Sequence, residues 1–268
     1  MMFGLLKSTP PIDEPSAEWL FDAYAWALRN FDARVFHQES ILVVPSNEHF
    51  PGRENSLHGM AELIFEQVKA YAGMAHWPCR LLDQQACMTL ETPSLRLAGA
   101  IRGSRGIPLT TVAEDQKLIV LYQPNQVSNP EALIASFAHT LAHYLGTTAE
   151  EPPPGGPEQW PHLTELLAVF MGFGLMFANS VYAFKGSSCG SCGGGAPGRS
   201  AFLSEEETTY ALAIFAVLKE IPAKDVSRHL KKSLRPVYKQ ALKDLAGRGE
   251  QLARLQDIDG DAVAALAQ

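Results

Sequence analysis

The sequence predicts an α+β fold, and three observations carry the prediction. β-patterned runs are confined to 79–122, every ordered segment after Asn129 has helical periodicity, and amphipathic helical segments precede the β region. With 268 residues, 46% of them hydrophobic, the chain is long enough to bury a sizeable core. Residues 1–200 read as one α+β domain and 201–268 as a helical subdomain packed on it.

Trp19, Leu20, Ala23, Tyr24, Trp26 and Ala27 recur at helical spacing and predict a first helix over 17–30. ILVVP at 41–45 reads as a strand closed by proline, and 59–74 as an amphipathic helix ended near Gly73. Short runs at 79–83, 94–101, 108–113 and 117–122, separated by turn-forming or charged residues, suggest a small antiparallel or mixed sheet. The last of them, KLIVLYQ, has the apolar density of a strand packed on a helix. Two loops, 147–159 and 186–200, are too rich in proline or glycine for regular structure, and helices are expected near 204–220, 225–246 and 249–267.

Charge and composition exclude several function classes. Twenty-nine acidic residues against 22 basic give a formal charge of −7, so no global field draws the chain to nucleic acid or to an anionic membrane. The start reaches Pro10 and Pro11 after only a short apolar stretch, too little for a secretory signal, which implies a cytoplasmic address. The nineteen residues 166–184 approach the length of a membrane span, but Glu165 adjoins one end, Gly172 and Gly174 lie inside, and no basic cluster flanks them. They are expected to form a buried central helix. Four cysteines are too few for a disulfide framework in a chain this long. Cys189 and Cys192 have the spacing of a metal knuckle or a redox pair, yet a four-thiolate site needs a second close pair, which the more widely spaced Cys79 and Cys87 do not make.

SNPEALIASFAHTLAHYLG has the boundary signals of a helix: Asn129 to cap it, Pro130 at its first position, Glu131 at its positive end and Gly146 at its stop. His139 and His143 are four residues apart, so both project from one face and can reach one ion. Ile134, Phe137, Ala138, Leu141 and Leu145 occupy the opposite, core-facing side, and the small Ala132 and Ser136 beside the histidines leave room for another helix or a pocket. Glu165 follows in a helix begun by Pro161, just ahead of the apolar run. Leaving its charge buried and unpaired costs several kcal/mol, so a cation, a metal or several hydrogen-bond donors are expected beside it.

Two histidines at this spacing and a glutamate from the next helix resemble the zinc site of gluzincin-type metallopeptidases. The order of a sheet ending in KLIVLYQ, a histidine helix and a glutamate helix resembles the zincin core. The resemblance covers roughly residues 79–184 and implies zinc, with His139, His143 and Glu165 as its ligands.

One position departs from the family pattern. Thr140 stands where a glutamate should follow the first histidine, and a threonine hydroxyl is no general base near neutral pH. Losing such a base costs roughly 10²–10⁴ in rate. The first reading is therefore a zinc-binding protein related to metallopeptidases that lacks ordinary peptidase activity. A second is an active metal-dependent hydrolase using another base, such as His162, which shares a helix face with Glu165. A third is a metal-free helical adaptor for an unknown protein or peptide. By resemblance, Tyr210, downstream of the third ligand, is a candidate to stabilise a transition state, against a packing role on its amphipathic helix.

Overall fold

The computed structural model describes residues 10–84, 98–108, 113, 116–180 and 201–258. The expectations for Cys87, Cys189, Cys192 and the ends of several predicted elements lie outside them. The chain is α+β, with helices Glu14–Asn30 (α1) and Leu57–Tyr71 (α2), strands Cys79–Asp83 (β1), Ala98–Gly99 (β2), Gly106–Ile107 (β3) and Leu118–Tyr122 (β4), then helices Pro130–Gly146 (α3), Trp160–Ala168 (α4), Gly174–Ser180 (α5), Glu205–Leu218 (α6), Ala223–Ser227 (α7), Leu234–Leu245 (α8) and Gly249–Gln256 (α9).

Among the described residues the β structure comprises two small ladders. β1 and β4 pair in parallel, Cys79 opposite Leu118 through Asp83 opposite Tyr122, while β2 and β3 pair antiparallel. Parallel pairing requires a long crossover, which the chain between the two strands supplies. Leu118, Val120 and Tyr122 alternate inward, as a strand packed on helices should.

The apolar stretch at 41–45 is not a strand. It runs extended against a break in the central helix, where the Val43 N–H donates to the Gly172 carbonyl at 2.9 Å. Gly172 sits at φ 103°, and a Cβ there would fall 2.1 Å from the Ile41 carbonyl oxygen. Glycine alone suits both constraints. The apolar run expected as one helix is therefore α4, a π-helical turn Val169–Phe173 broken at Gly172, and α5. Residues Pro157–Ser180 are long and apolar enough to cross a membrane by length and composition, yet every residue from Leu163 to Ser180 is buried in the protein. A second π-helical turn, Val35–Glu39, brings Phe36 onto Phe170 in a parallel stack, centroids 4.7 Å apart.

α6 is buried along almost its whole length, and Tyr24 of α1 donates its hydroxyl to the Ala211 carbonyl at 2.7 Å. A single hydrophobic cluster runs through residues on both sides of the expected boundary at 200/201. The helix expected over 225–246 divides into α7 and α8. Asn179 holds the turn between them: its amide donates to the His229 carbonyl, and its side-chain oxygen accepts the Lys231 N–H.

Candidate metal-binding helix pair

α3 begins as its sequence dictates, with the Asn129 side chain accepting the Ala132 N–H and Pro130 at the first turn. Ile134, Phe137, Ala138, Leu141 and Leu145 are buried in the core. Tyr144 donates its hydroxyl to the Ile119 carbonyl at 2.7 Å, which ties α3 to β4.

His139 and His143 are half-buried on α3, and both have interaction partners. They share their face with Gly146, all three within about 60° around the helix axis. That face is turned toward α4, because a Cβ on Gly146 would lie 2.7 Å from the Trp160 ring and 3.3 Å from Leu167. The loop between the helices is pinned to α1. Trp26 and Trp19 donate their indole N–H groups to the Glu151 and Pro154 carbonyls, and Arg29 pairs with the Glu151 carboxylate at 2.8 Å. A short 3₁₀ turn, Pro157–Gln159, leads into α4, where the loop was expected to carry no regular structure.

Thr140 is 6% exposed, and its hydroxyl donates to the Ser136 carbonyl at 3.1 Å. This is the usual way a helical threonine satisfies its hydroxyl.

Glu165 is equally buried, and two backbone amides are among its partners. The Phe202 N–H lies 3.0 and 3.2 Å from the two carboxylate oxygens, and the Leu203 N–H 2.8 Å from Oε2. Both amides immediately precede Ser204, which caps α6 in a reciprocal pair with Glu207. A carboxylate beside the positive end of a helix is favoured by the helix dipole as well as by the two hydrogen bonds. Hydrogen-bond donors, one of the three kinds of partner expected for Glu165, are present.

The fit of these residues to zinc is thus partial. Two imidazoles one turn apart suit two positions of a tetrahedral site, and the Glu165 carboxylate also accepts from two amides at the start of α6. Among the described residues, no group of three or more histidine, cysteine, aspartate or glutamate side chains is arranged to hold a metal ion.

His162 shares the Glu165 face and stands edge-on to Phe202 and Trp19, with ring centroids 5.5 and 6.2 Å away. Its Nδ1 is buried without a hydrogen-bond partner among the described residues. Tyr210 belongs to a different network. It is fully buried and donates to Asp244 Oδ2 at 2.5 Å; Arg248 Nε donates to the same oxygen at 2.6 Å, and the Arg248 guanidinium also reaches the Glu14 carboxylate. Burial, then Asp244, pushes the Tyr210 hydroxyl well above its ordinary pKa. Cys79 is a free thiol that burial pushes up to about 12, so it stays protonated near neutral pH.

Sequence reasoning missed the amides of Phe202 and Leu203 and the fully buried Arg102. No residue type marks either in advance, since every non-proline residue carries an N–H and Arg102 stands in a glycine-rich stretch that reads as a turn. No family model, curated protein or solved structure matches the chain.

Proposed function

We propose that the chain is a zinc-binding, zincin-like protein, related to metallopeptidases, in which ordinary peptidase chemistry is lost. The observation that carries this reading is the histidine pair on α3, one turn apart on a half-buried face turned toward α4. Burying two imidazoles at this spacing beside a second helix suits shared ligation of one ion. In this reading Glu165 is the third ligand. A carboxylate offers about four acceptor sites, so two amide hydrogen bonds leave lone pairs for an ion while fixing the orientation of the group. Thr140 supplies no base, and its hydroxyl is directed to the Ser136 carbonyl. Zinc, when bound, supplies a Lewis acid and an activated water; the chain holds the ion but has no carboxylate next to His139 to take a proton from that water.

A second reading, a metal-free helical adaptor for a protein partner, is favoured by one specific observation: the buried Glu165 carboxylate accepts from two backbone amides without a metal. Zinc content separates the two. Full-length protein purified without chelators and analysed by plasma mass spectrometry is expected to hold about one zinc per chain, lost in His143→Ala. Protein that takes up no zinc under these conditions leaves only the adaptor.

A further inference from the structure

A second candidate site lies beside Phe170, around a buried arginine. Arg102 is 0% exposed. Its Nε donates to the Ala72 carbonyl at 2.9 Å and its Nη2 to the Ser40 hydroxyl at 3.3 Å, while Cζ sits 5.4 Å from the centre of the Phe170 ring. Nη1 is buried and has no hydrogen-bond partner among the described residues. An unmet donor on a buried guanidinium is costly, and native structures keep few of them.

Arg102 lines a cavity of about 260 Å³ together with Val35, Glu39, Ser40, Ala70, Ala75 and neighbouring residues. This is just below the roughly 300–1,000 Å³ typical of drug-sized ligand sites, so it admits a small molecule and no nucleotide. One wall is the π-helical turn Val35–Glu39, a distortion that recurs at functional sites. Glu39 is already met: Oε2 accepts the Ser104 N–H at 2.7 Å, and Oε1 accepts the Ser104 hydroxyl and Arg34 Nη1, each at 3.0 Å.

The surrounding charge favours an anion. Arg34 pairs with Glu39 and lies 3.9 Å from Asp32, and Lys219 Nζ donates to the Phe36 and His37 carbonyls of the same turn. Arg34, Arg102 and Lys219 against Asp32 and Glu39 leave one positive charge unbalanced. A single negative charge matches that excess, and a planar carboxylate matches guanidinium geometry. Val35, Ala70 and Ala75 offer apolar surface for the rest of a ligand.

We propose that this cavity binds a small monocarboxylate, its carboxylate on the free Arg102 donor and the Ser40 hydroxyl and its apolar body against Val35, Ala70 and Ala75. The site is independent of zinc. It is tested by isothermal titration calorimetry on the full chain with butyrate, beside 1-butanol and inorganic phosphate. Saturable butyrate binding is expected, with none for butanol, and weakening by about tenfold or more in Ala75→Leu, which plugs the mouth at an exposed position, and in Ser40→Ala. Both variants leave Arg102 in place, and circular dichroism confirms that each is folded. Absence of saturable butyrate binding in the millimolar range would mean a cavity filled by water and overturn the proposal. So would butyrate binding that neither substitution alters, or phosphate binding in place of butyrate.

Discussion

The Glu165 carboxylate accepts the Leu203 backbone N–H at 2.8 Å, and through that bond α4 is fastened to the start of α6 across thirty-eight positions of sequence. Removing the acceptor strands two amides in a buried setting. Glu165→Ala is therefore expected to destabilise the fold by about 1–3 kcal/mol for each amide left unmet, and Glu165→Gln by less, because it keeps one acceptor oxygen. Urea unfolding of the two variants checks this. Equal stability of Glu165→Ala and the natural protein would show that these amides find other partners.

Thr140→Glu is the activity test of the metal reading. If His139 and His143 hold zinc, the natural chain is expected to leave peptide substrates uncut, and the substituted chain to cleave them by a margin on the order of 10²-fold or more. The new carboxylate enters a position only 6% exposed, so the variant is also expected to melt earlier. Cleavage by the natural protein that His162→Ala abolishes would instead establish His162 as the base.

Tyr210→Phe is expected to cost about 1.5–3 kcal/mol, the range for a hydrogen bond to a charged group, and to leave zinc content unchanged. The hydroxyl meets Asp244 on α8, far from any catalytic duty in sequence terms, and Arg248 carries the link on to Glu14 of α1. A variant with full stability and altered metal uptake would reverse this assignment.

Acid should weaken the Glu39 network. Burial works to raise the Glu39 carboxyl, but the Ser104 N–H and hydroxyl and the Arg34 guanidinium outweigh it and hold the group below its ordinary value. A carboxyl lowered in the folded state contributes stability above its unfolded pKa and loses it as pH falls through the folded one. The difference in Tm between the natural protein and Glu39→Gln is therefore expected to be full at neutral pH and to close as pH falls below about 4. A difference that persists or grows in acid would contradict the assignment.

The helices of the candidate site are legible in the sequence because their signals are local. Asn129, Pro130 and Gly146 bound α3, and the apolar positions from Ile134 to Leu145 identify its buried face. Runs such as CRLLD and LIVLY announce strands but not their parallel partnership, which depends on chain far away in sequence. The run at 41–45 has a strand's composition and lies extended, yet its partner is the carbonyl of a broken helix. Asn179 likewise divides an expected helix from a distance of fifty positions. The amide partners of Glu165 stayed hidden for a further reason: a backbone amide has no residue-type signature.

The burial of Pro157–Ser180 also sets a demand on biosynthesis. Much of this apolar run, including the π-helical turn and α5, is covered by α6, which follows it in the chain. At ~5–20 residues per second, the thirty-eight residues from Ser180 to Leu218 take about 2–8 s to be made. For that interval the nascent chain exposes a surface with the composition of a membrane segment and without its cover. A holdase that recognises apolar helices should engage the ribosome-bound chain once residues through Ser180 have emerged and release it once residues through Leu218 have emerged.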